Sequence, residues 1–241
     1  MAESAWLWLY VICMSAGALL FFSWSRNPSG VARYEYVIAM IIPIWSGLAY
    51  MAMALGQGII EVDGREIYLA RYLDWLVTTP LLLWALASTA MFHRPLNKSL
   101  IGALMVTDVI MILSGLFADL TSNEAVQWLW YIIGCVCLAL VLWITWGPLR
   151  QIAADQGREI KTTYTRVVTY LTVLWLGYPL IWALSPSGVG LFGQTTSTAL
   201  FVVLPIFSKV GFSILDLHEL RKLGQHTPQG PKRGHRDLAF A

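Results

Sequence analysis

Apolar residues in this chain fall into seven long blocks separated by short polar breaks. Each block is long enough to cross the roughly 30 Å hydrocarbon core of a bilayer, which takes about 20 helical residues. The blocks run Ala5–Trp24, Tyr34–Leu55, Tyr68–Phe92, Ser99–Ala118, Asn123–Trp146, Val167–Leu184 and Thr195–Leu223. The breaks carry turn signals: Arg26-Asn27-Pro28-Ser29-Gly30, Glu61-Val62-Asp63-Gly64-Arg65, His93-Arg94-Pro95 and Ser185-Pro186-Ser187-Gly188. Asp63-Gly64, set between Ile59-Ile60 and Ile67-Tyr68, predicts a short hairpin outside the membrane. The pattern predicts an all-α membrane protein, a bundle of seven transmembrane helices over residues 1–223. From Gly224 to Ala241 the chain is polar and rich in Gly and Pro, which predicts a mobile tail.

Composition closes off the other classes. Of 241 residues, 57% are hydrophobic and only 12% are charged, whereas a soluble domain is about one quarter charged. Disorder needs the opposite balance. A net charge of +2 is too small to argue for a nucleic-acid partner. Cys13, Cys135 and Cys137 lie inside apolar blocks and match no zinc or disulfide framework, so no metal site is expected. The four histidines sit at block ends or in the tail, and no Gly-rich phosphate loop is present, so a conventional enzyme finds no support.

Charge placement sets the expected orientation. With the N-terminus outside, the inner breaks and tail hold Arg26, Arg33, Arg94, Lys98, Arg150, Arg158, Lys161, Arg166, Arg221, Lys222, Lys232, Arg233 and Arg236. The outer breaks hold only Arg65. The positive-inside rule therefore predicts an outer N-terminus and a cytoplasmic C-terminus in a multi-pass plasma-membrane protein. The first block lacks a charged leader and a cleavage site and reads as a retained span.

Ionisable groups inside spans are costly and mark function. Five qualify: Arg71, Asp74, Asp108, Lys209 and Asp216. Lys209 sits mid-span between Leu200–Phe207 and Val210–Leu215. It either pairs with a carboxylate or, as a desolvated amine, holds a carbonyl cofactor covalently. Arg71 and Asp74 are three apart on one helix face, with Thr78 one turn further along. Asp74 is the natural counter-ion for a charged Lys209, with Arg71 helping to keep it ionised. The alternative is a private Arg71–Asp74 pair that only staples helices. Trp75, Trp175, Tyr178 and Trp182 lie too deep for an interfacial belt. They either pack helices or line a slot for a flat conjugated molecule.

These residues resemble the microbial (type 1) rhodopsins along nearly the whole chain. The carrying motifs are Arg71-Tyr72-Leu73-Asp74-Trp75-Leu76-Val77-Thr78-Thr79-Pro80-Leu81-Leu82-Leu83, Trp175-Leu176-Gly177-Tyr178-Pro179-Leu180-Ile181-Trp182 and Ser208-Lys209-Val210-Gly211-Phe212. The resemblance implies retinal as a protonated Schiff base on Lys209, with Asp74 as its counter-ion. It implies a pocket of Trp75, Thr79, Met111, Ser114, Gly115, Tyr131, Trp175, Tyr178, Pro179, Trp182 and Pro205. It places Asp108 near the ring end of the pocket, where a hydrogen bond to a neighbouring helix is expected, with a role in proton transfer as the alternative. It also implies a homo-oligomer, trimer or dimer.

The departures narrow the expectation. Outward proton pumps of the family carry a carboxylate eleven residues after the counter-ion, and here that position is Ala85. They carry another four residues before the lysine, and here that is Pro205. Their extracellular glutamates align near Ser187 and Ser197. Asp216 instead stands seven residues after Lys209, two turns and about 10 Å toward the cytoplasm. Its other reading is a helix-end carboxylate paired with Arg221, Lys222 or His218. Pro205 together with Asp216 resembles the xenorhodopsins, which include inward proton pumps and a cyanobacterial photochromic sensor. The expectation is a light-driven inward proton pump that releases protons through Asp216. The alternative is a photochromic sensory rhodopsin signalling to a separate cytoplasmic partner. A chloride or sodium transporter is weaker, because Asp74 is retained and the sodium-pump pattern is absent.

Overall fold

The computed structural model describes residues 2–226. Seven helices are long and apolar enough to cross a bilayer: α1 (Glu3–Ser25), α2 (Arg33–Ala54), α3 (Leu69–Ala90), α4 (Lys98–Leu120), α5 (Glu124–Ala154), α6 (Arg158–Leu184) and α7 (Gln194–Gln225). Between α2 and α3, β1 (Ile59–Val62) and β2 (Arg65–Tyr68) pair antiparallel, with Val62 opposite Arg65 and Ile59 opposite Tyr68. The turn is Asp63-Gly64, both at positive φ (51° and 74°), the conformation a two-residue hairpin turn requires.

Helix α3 is the centre of the bundle. Its central window is 72% buried, against 28–44% for the other six. Arg71, Asp74, Thr78, Thr79, Ser88 and Thr89 are therefore all buried on one helix. One apolar cluster fills the end away from the hairpin, with Leu82, Leu83, Leu86, Leu171, Trp175 and Phe212 at its centre. Another lies under the hairpin, where Ile60 and Val62 cover Tyr72, Trp75, Trp182 and Phe201.

Two helices run further than hydrophobicity alone indicates. Helix α6 starts at Arg158 rather than Val167. Its first turns carry Arg158, Glu159, Lys161 and Arg166, which hide the span from a hydropathy reading. One stripe, Ile160, Thr163, Tyr164, Val167 and Val168, is nevertheless buried, and a stripe is enough to dock an amphipathic turn. Tyr164 also donates to the Thr145 carbonyl at 2.7 Å, tying α6 to α5. Helix α5 continues past Trp146 through Pro148 by widening into a π turn over Thr145–Leu149, which relieves the clash a proline makes with the preceding turn.

Helix α7 contains a second π turn, Ile206–Gly211, directly after Pro205 and centred on Lys209. The helix then runs α-helically from Phe212 to His226, so residues 224–226 of the anticipated tail are helical. The remainder of the tail, 227–241, lies outside the described residues. Near this end Gly30 (φ +82°) and Gly224 approach backbone to backbone, so a Cβ on Gly30 would sit 2.8 Å from the Gly224 carbonyl oxygen.

A Gly30→Ala substitution meets both a left-handed backbone and a backbone clash. It is expected to destabilise the protein by more than the ~1–2 kcal/mol that the left-handed conformation alone costs a non-glycine residue. Gly56→Ala, at φ +77° with open space around it, is the control. Thermal unfolding in detergent should show a larger drop in Tm for Gly30→Ala than for Gly56→Ala.

Candidate functional site

Lys209 is 1% exposed and its amine points between α2 and α3. Nζ forms an ion pair with Asp74 on α3 and donates to Ser46 Oγ on α2 at 2.9 Å. Asp74 is fully buried. Its Oδ2 accepts from Ser46 at 2.9 Å, and Thr78 Oγ1 shares its hydrogen between the Asp74 carbonyl at 2.9 Å and Oδ1 at 3.2 Å. Ser46 also lies 2.6 Å from Tyr10 Oη. A hydroxyl has one hydrogen and two lone pairs. Since Ser46 spends its hydrogen on Asp74 and accepts from Lys209, Tyr10 must be the donor in that contact. Three helices thus converge on one carboxylate. Tyr10 stacks on Tyr50 with ring centroids 3.7 Å apart, and Tyr50 donates to the Phe201 carbonyl at 2.7 Å.

Arg71 does not make the private pair that its spacing from Asp74 allows. Its guanidinium lies 4.7 Å from the Tyr68 ring centroid and 4.6 Å from that of Phe201. Nε and Nη2 have no hydrogen-bond partner among the described residues. A shared helix face brings the two side chains near each other, but the aromatic rings on the hairpin side take the cation. The direct positive partner of Asp74 is Lys209.

Beside this pair is a cavity lined by Tyr72, Trp75, Thr79, Met111, Ile112, Gly115, Tyr131, Gly134, Cys135, Leu138, Trp175, Tyr178, Pro179, Trp182 and Phe201. Of the pocket residues expected from sequence, Ser114 and Pro205 are off this wall. Ser114 turns its hydroxyl to the Ile110 carbonyl at 2.7 Å and lies behind Gly134 in the α4–α5 contact. Pro205 is buried in α7 one turn before Lys209. Tyr72, Ile112, Gly134, Cys135, Leu138 and Phe201 were not anticipated. For α5 the signal was present, since Tyr131, Gly134, Cys135 and Leu138 follow i, i+3, i+4, i+7 spacing.

The wall is aromatic and ordered. Trp75 meets Tyr178 edge-on at 5.4 Å, and Tyr131 stacks with Trp182 at 5.0 Å and 17°. Tyr178 Oη is 2.7 Å from Ser208 Oγ, which ties the wall to the residue next to Lys209. Trp75 follows Asp74 directly. At the α3–α4 contact Thr79 donates to Asp108 Oδ2 at 2.6 Å, the interhelical bond expected of Asp108. An apolar, aromatic slot beside one buried amine fits a flat conjugated aldehyde.

Asp216 lies apart from this group. It is 3% exposed and accepts from Thr89 Oγ1 of α3 at 2.6 Å. The helix-end pairing is not seen among the described residues: Arg221 bonds the Trp24 and Asn27 carbonyls and Tyr36, Lys222 bonds Glu219, and His218 is exposed where Asp216 is buried. Asp74 and Thr89 are fifteen positions apart on α3, about 22 Å along its axis. The buried residues Leu82, Leu83, Ala85, Leu86 and Phe212 belong to the apolar cluster at this end of the bundle. Three further carboxylates are buried near helix ends: Glu35 on α2, whose Oε2 is unpartnered among the described residues, Asp119 on α4, and Glu219 on α7, which pairs with Arg166 and Lys222.

Comparison with known proteins agrees with this geometry. Residues 1–223 match the family described as "Bacteriorhodopsin-like protein". Archaerhodopsin-3 of Halorubrum sodomense is 32% identical over 238 residues, covering 96% of this chain and 90% of its own. Cruxrhodopsin-3 of Haloarcula vallismortis is 35% identical over 225 residues, 88% of each. Among solved structures, the thermophilic rhodopsin from Rubrobacter xylanophilus superposes with a TM-score of 0.88 at 34% identity, covering 92% of this chain and 97% of that one. The light-driven proton pump of Coccomyxa subellipsoidea gives 0.83 at 30% identity, covering 90% and 96%. This chain belongs to the bacteriorhodopsin-like family, multi-pass membrane proteins that bind retinal through a Schiff base on a lysine.

Proposed function

We propose that the protein is a light-driven inward proton pump of the xenorhodopsin group, with its hairpin end outside and its C-terminus in the cytoplasm. The observation that carries this reading is the position of Asp216. It is a buried carboxylate bonded to α3 about 22 Å beyond the Asp74 level. Ala85 and Pro205, where outward pumps of the family place carboxylates, supply none. The charge pattern of the loops supports the orientation.

Retinal, carried on Lys209 in the aromatic slot, supplies a light-driven change of shape at Nζ and a proton there that can be given up and regained. The chain's own residues set where that proton goes. Before light, Asp74 and Ser46 hold the proton on Nζ. Ser46 and Thr78 occupy Asp74 with hydroxyl donors and fix it on the outer side. Once the N–H of Nζ turns away from Asp74, the base on the inner side is Asp216, oriented by Thr89. Leu86 and Phe212, buried in the apolar cluster, act as a gate against back-flow. Nζ then regains a proton from the outer side, past Arg71 and Asp74, and one proton has moved inward.

The rival reading, a photochromic sensor with a separate cytoplasmic partner, needs the same buried groups and differs in transport. Illumination of vesicles or cells containing only this protein decides between them. The medium outside cells should become more alkaline in light, and a protonophore should abolish the signal. Acidification would overturn the inward direction, and a complete photocycle with no pH change would favour the sensor.

Two substitutions test the assignments. Lys209→Ala should leave no visible absorption band after retinal is added; a retained band would place the attachment elsewhere. Asp216→Asn should slow loss of the Nζ proton by about 100-fold or more, the usual contribution of a positioned proton acceptor. Flash photolysis that gave wild-type kinetics would remove Asp216 from the route.

A further inference from the structure

A buried carboxylate that the proposed function does not use stands behind the cavity wall at its hairpin end. Asp119, in the last turn of α4, is 7% exposed. It accepts from Tyr72 Oη on α3 at 2.5 Å through Oδ2 and from Trp182 Nε1 on α6 at 3.0 Å through Oδ1. Both donors line the cavity. The Trp182 indole in turn stacks on Tyr131 of α5 and meets Trp128 edge-on at 6.2 Å and 86°. One side chain therefore holds the rings of three neighbouring helices in a fixed relation.

The donor chemistry makes Asp119 hard to replace. An indole N–H can only donate, and the acceptors beside it are Asp119 and the Tyr72 hydroxyl that Asp119 itself holds. A carboxylate serves both donors at once, one per oxygen. Asparagine can still do so if its oxygen accepts from Trp182 and its amide donates to Tyr72 Oη. Alanine takes the acceptor from the Tyr72 hydroxyl and leaves the Trp182 N–H only that hydroxyl to bond, in an apolar setting where an unmade hydrogen bond is expensive.

We infer that Asp119 is a chromophore-positioning residue: by pinning Trp182 and Tyr72 it fixes the plane of the aromatic wall against which the flat polyene lies. This rests on retinal occupying the cavity and is independent of the direction of proton transport. The aromatic rings do the contacting, and Asp119 acts through them.

The test compares the retinal-loaded wild type with Asp119→Ala, Asp119→Asn, Tyr72→Phe and Trp182→Phe. Three quantities are read: the absorption maximum, the isomer composition of retinal extracted in the dark, and the dark bleaching rate in hydroxylamine. Asp119→Ala should displace the band, alter the isomer ratio and speed bleaching by about tenfold, the equivalent of one lost hydrogen bond. Asp119→Asn should restore most of all three. Adding Asp119→Ala to Trp182→Phe should move the band by less than the sum of the two single shifts, because only the Tyr72 bond is left to lose. Wild-type values in Asp119→Ala would overturn the proposal, as would an asparagine variant no better than alanine. Should the alanine variant not accumulate, Tyr72→Phe and Trp182→Phe carry the test. Their band shifts should combine to less than their sum, and strict additivity would overturn the proposal. A band unmoved by Trp182→Phe would instead show that the cavity is not the chromophore site, and the proposal falls with it.

Discussion

A single ion pair in a low-dielectric interior organises this molecule. An ammonium or a carboxylate alone at that depth costs several kcal/mol. Lys209 and Asp74 are tolerable only together, and only with their remaining hydrogen-bonding capacity met. That requirement recruits Ser46 from α2, Tyr10 from α1 and Thr78 from α3 itself. Four of the seven helices are thereby tied to one point through their side chains. The pair explains why α3 is the most buried helix, since its polar residues have no other place to be satisfied.

The rest of the structure reverses the rule of soluble proteins. Ile12, Leu19, Trp143 and Val173 are each more than 60% exposed, on surfaces that face lipid. The interior collects hydroxyls, carboxylates and a lysine. Between apolar helices in an apolar solvent, burying hydrocarbon contributes little, so packing and interhelical hydrogen bonds specify the arrangement. Thr79–Asp108, Thr89–Asp216, Tyr164–Thr145 and Asp119 with Tyr72 and Trp182 are such bonds, distributed from the hairpin to the far end.

The spans and hairpin were legible because each rests on a one-dimensional signal: block length, or an Asp-Gly pair between isoleucines. Lys209, Asp74 and Asp216 were legible because a charge within an apolar block is conspicuous. Ser46 and Tyr10 carry no such signal, since a serine or tyrosine in a span is ordinary until its partner is known. Asp119 and Glu35 stand at helix ends, where a side chain usually reaches water, so the sequence alone gives them no prominence; only the packing of neighbouring helices over them removes that exit. The start of α6 was hidden for the converse reason, because charges on its outer face masked a buried stripe. Arg71 shows a different limit. Helical spacing states which residues share a face, but not whether a carboxylate or two aromatic rings will win the cation.

Helix α3 holds the hydroxyl or carboxylate at each end of the polar line, Asp74 at one and Thr89 at the other. The helix stays α-helical through Pro80, so the interval between those stations is set by its backbone. Any alternation between them must then come from the strand of structure that faces this helix. In α7 the lysine sits within a π turn, which stores one residue of slack in an otherwise regular helix. The fold thus separates two mechanical duties: one helix keeps the scale, and its neighbour carries the joint.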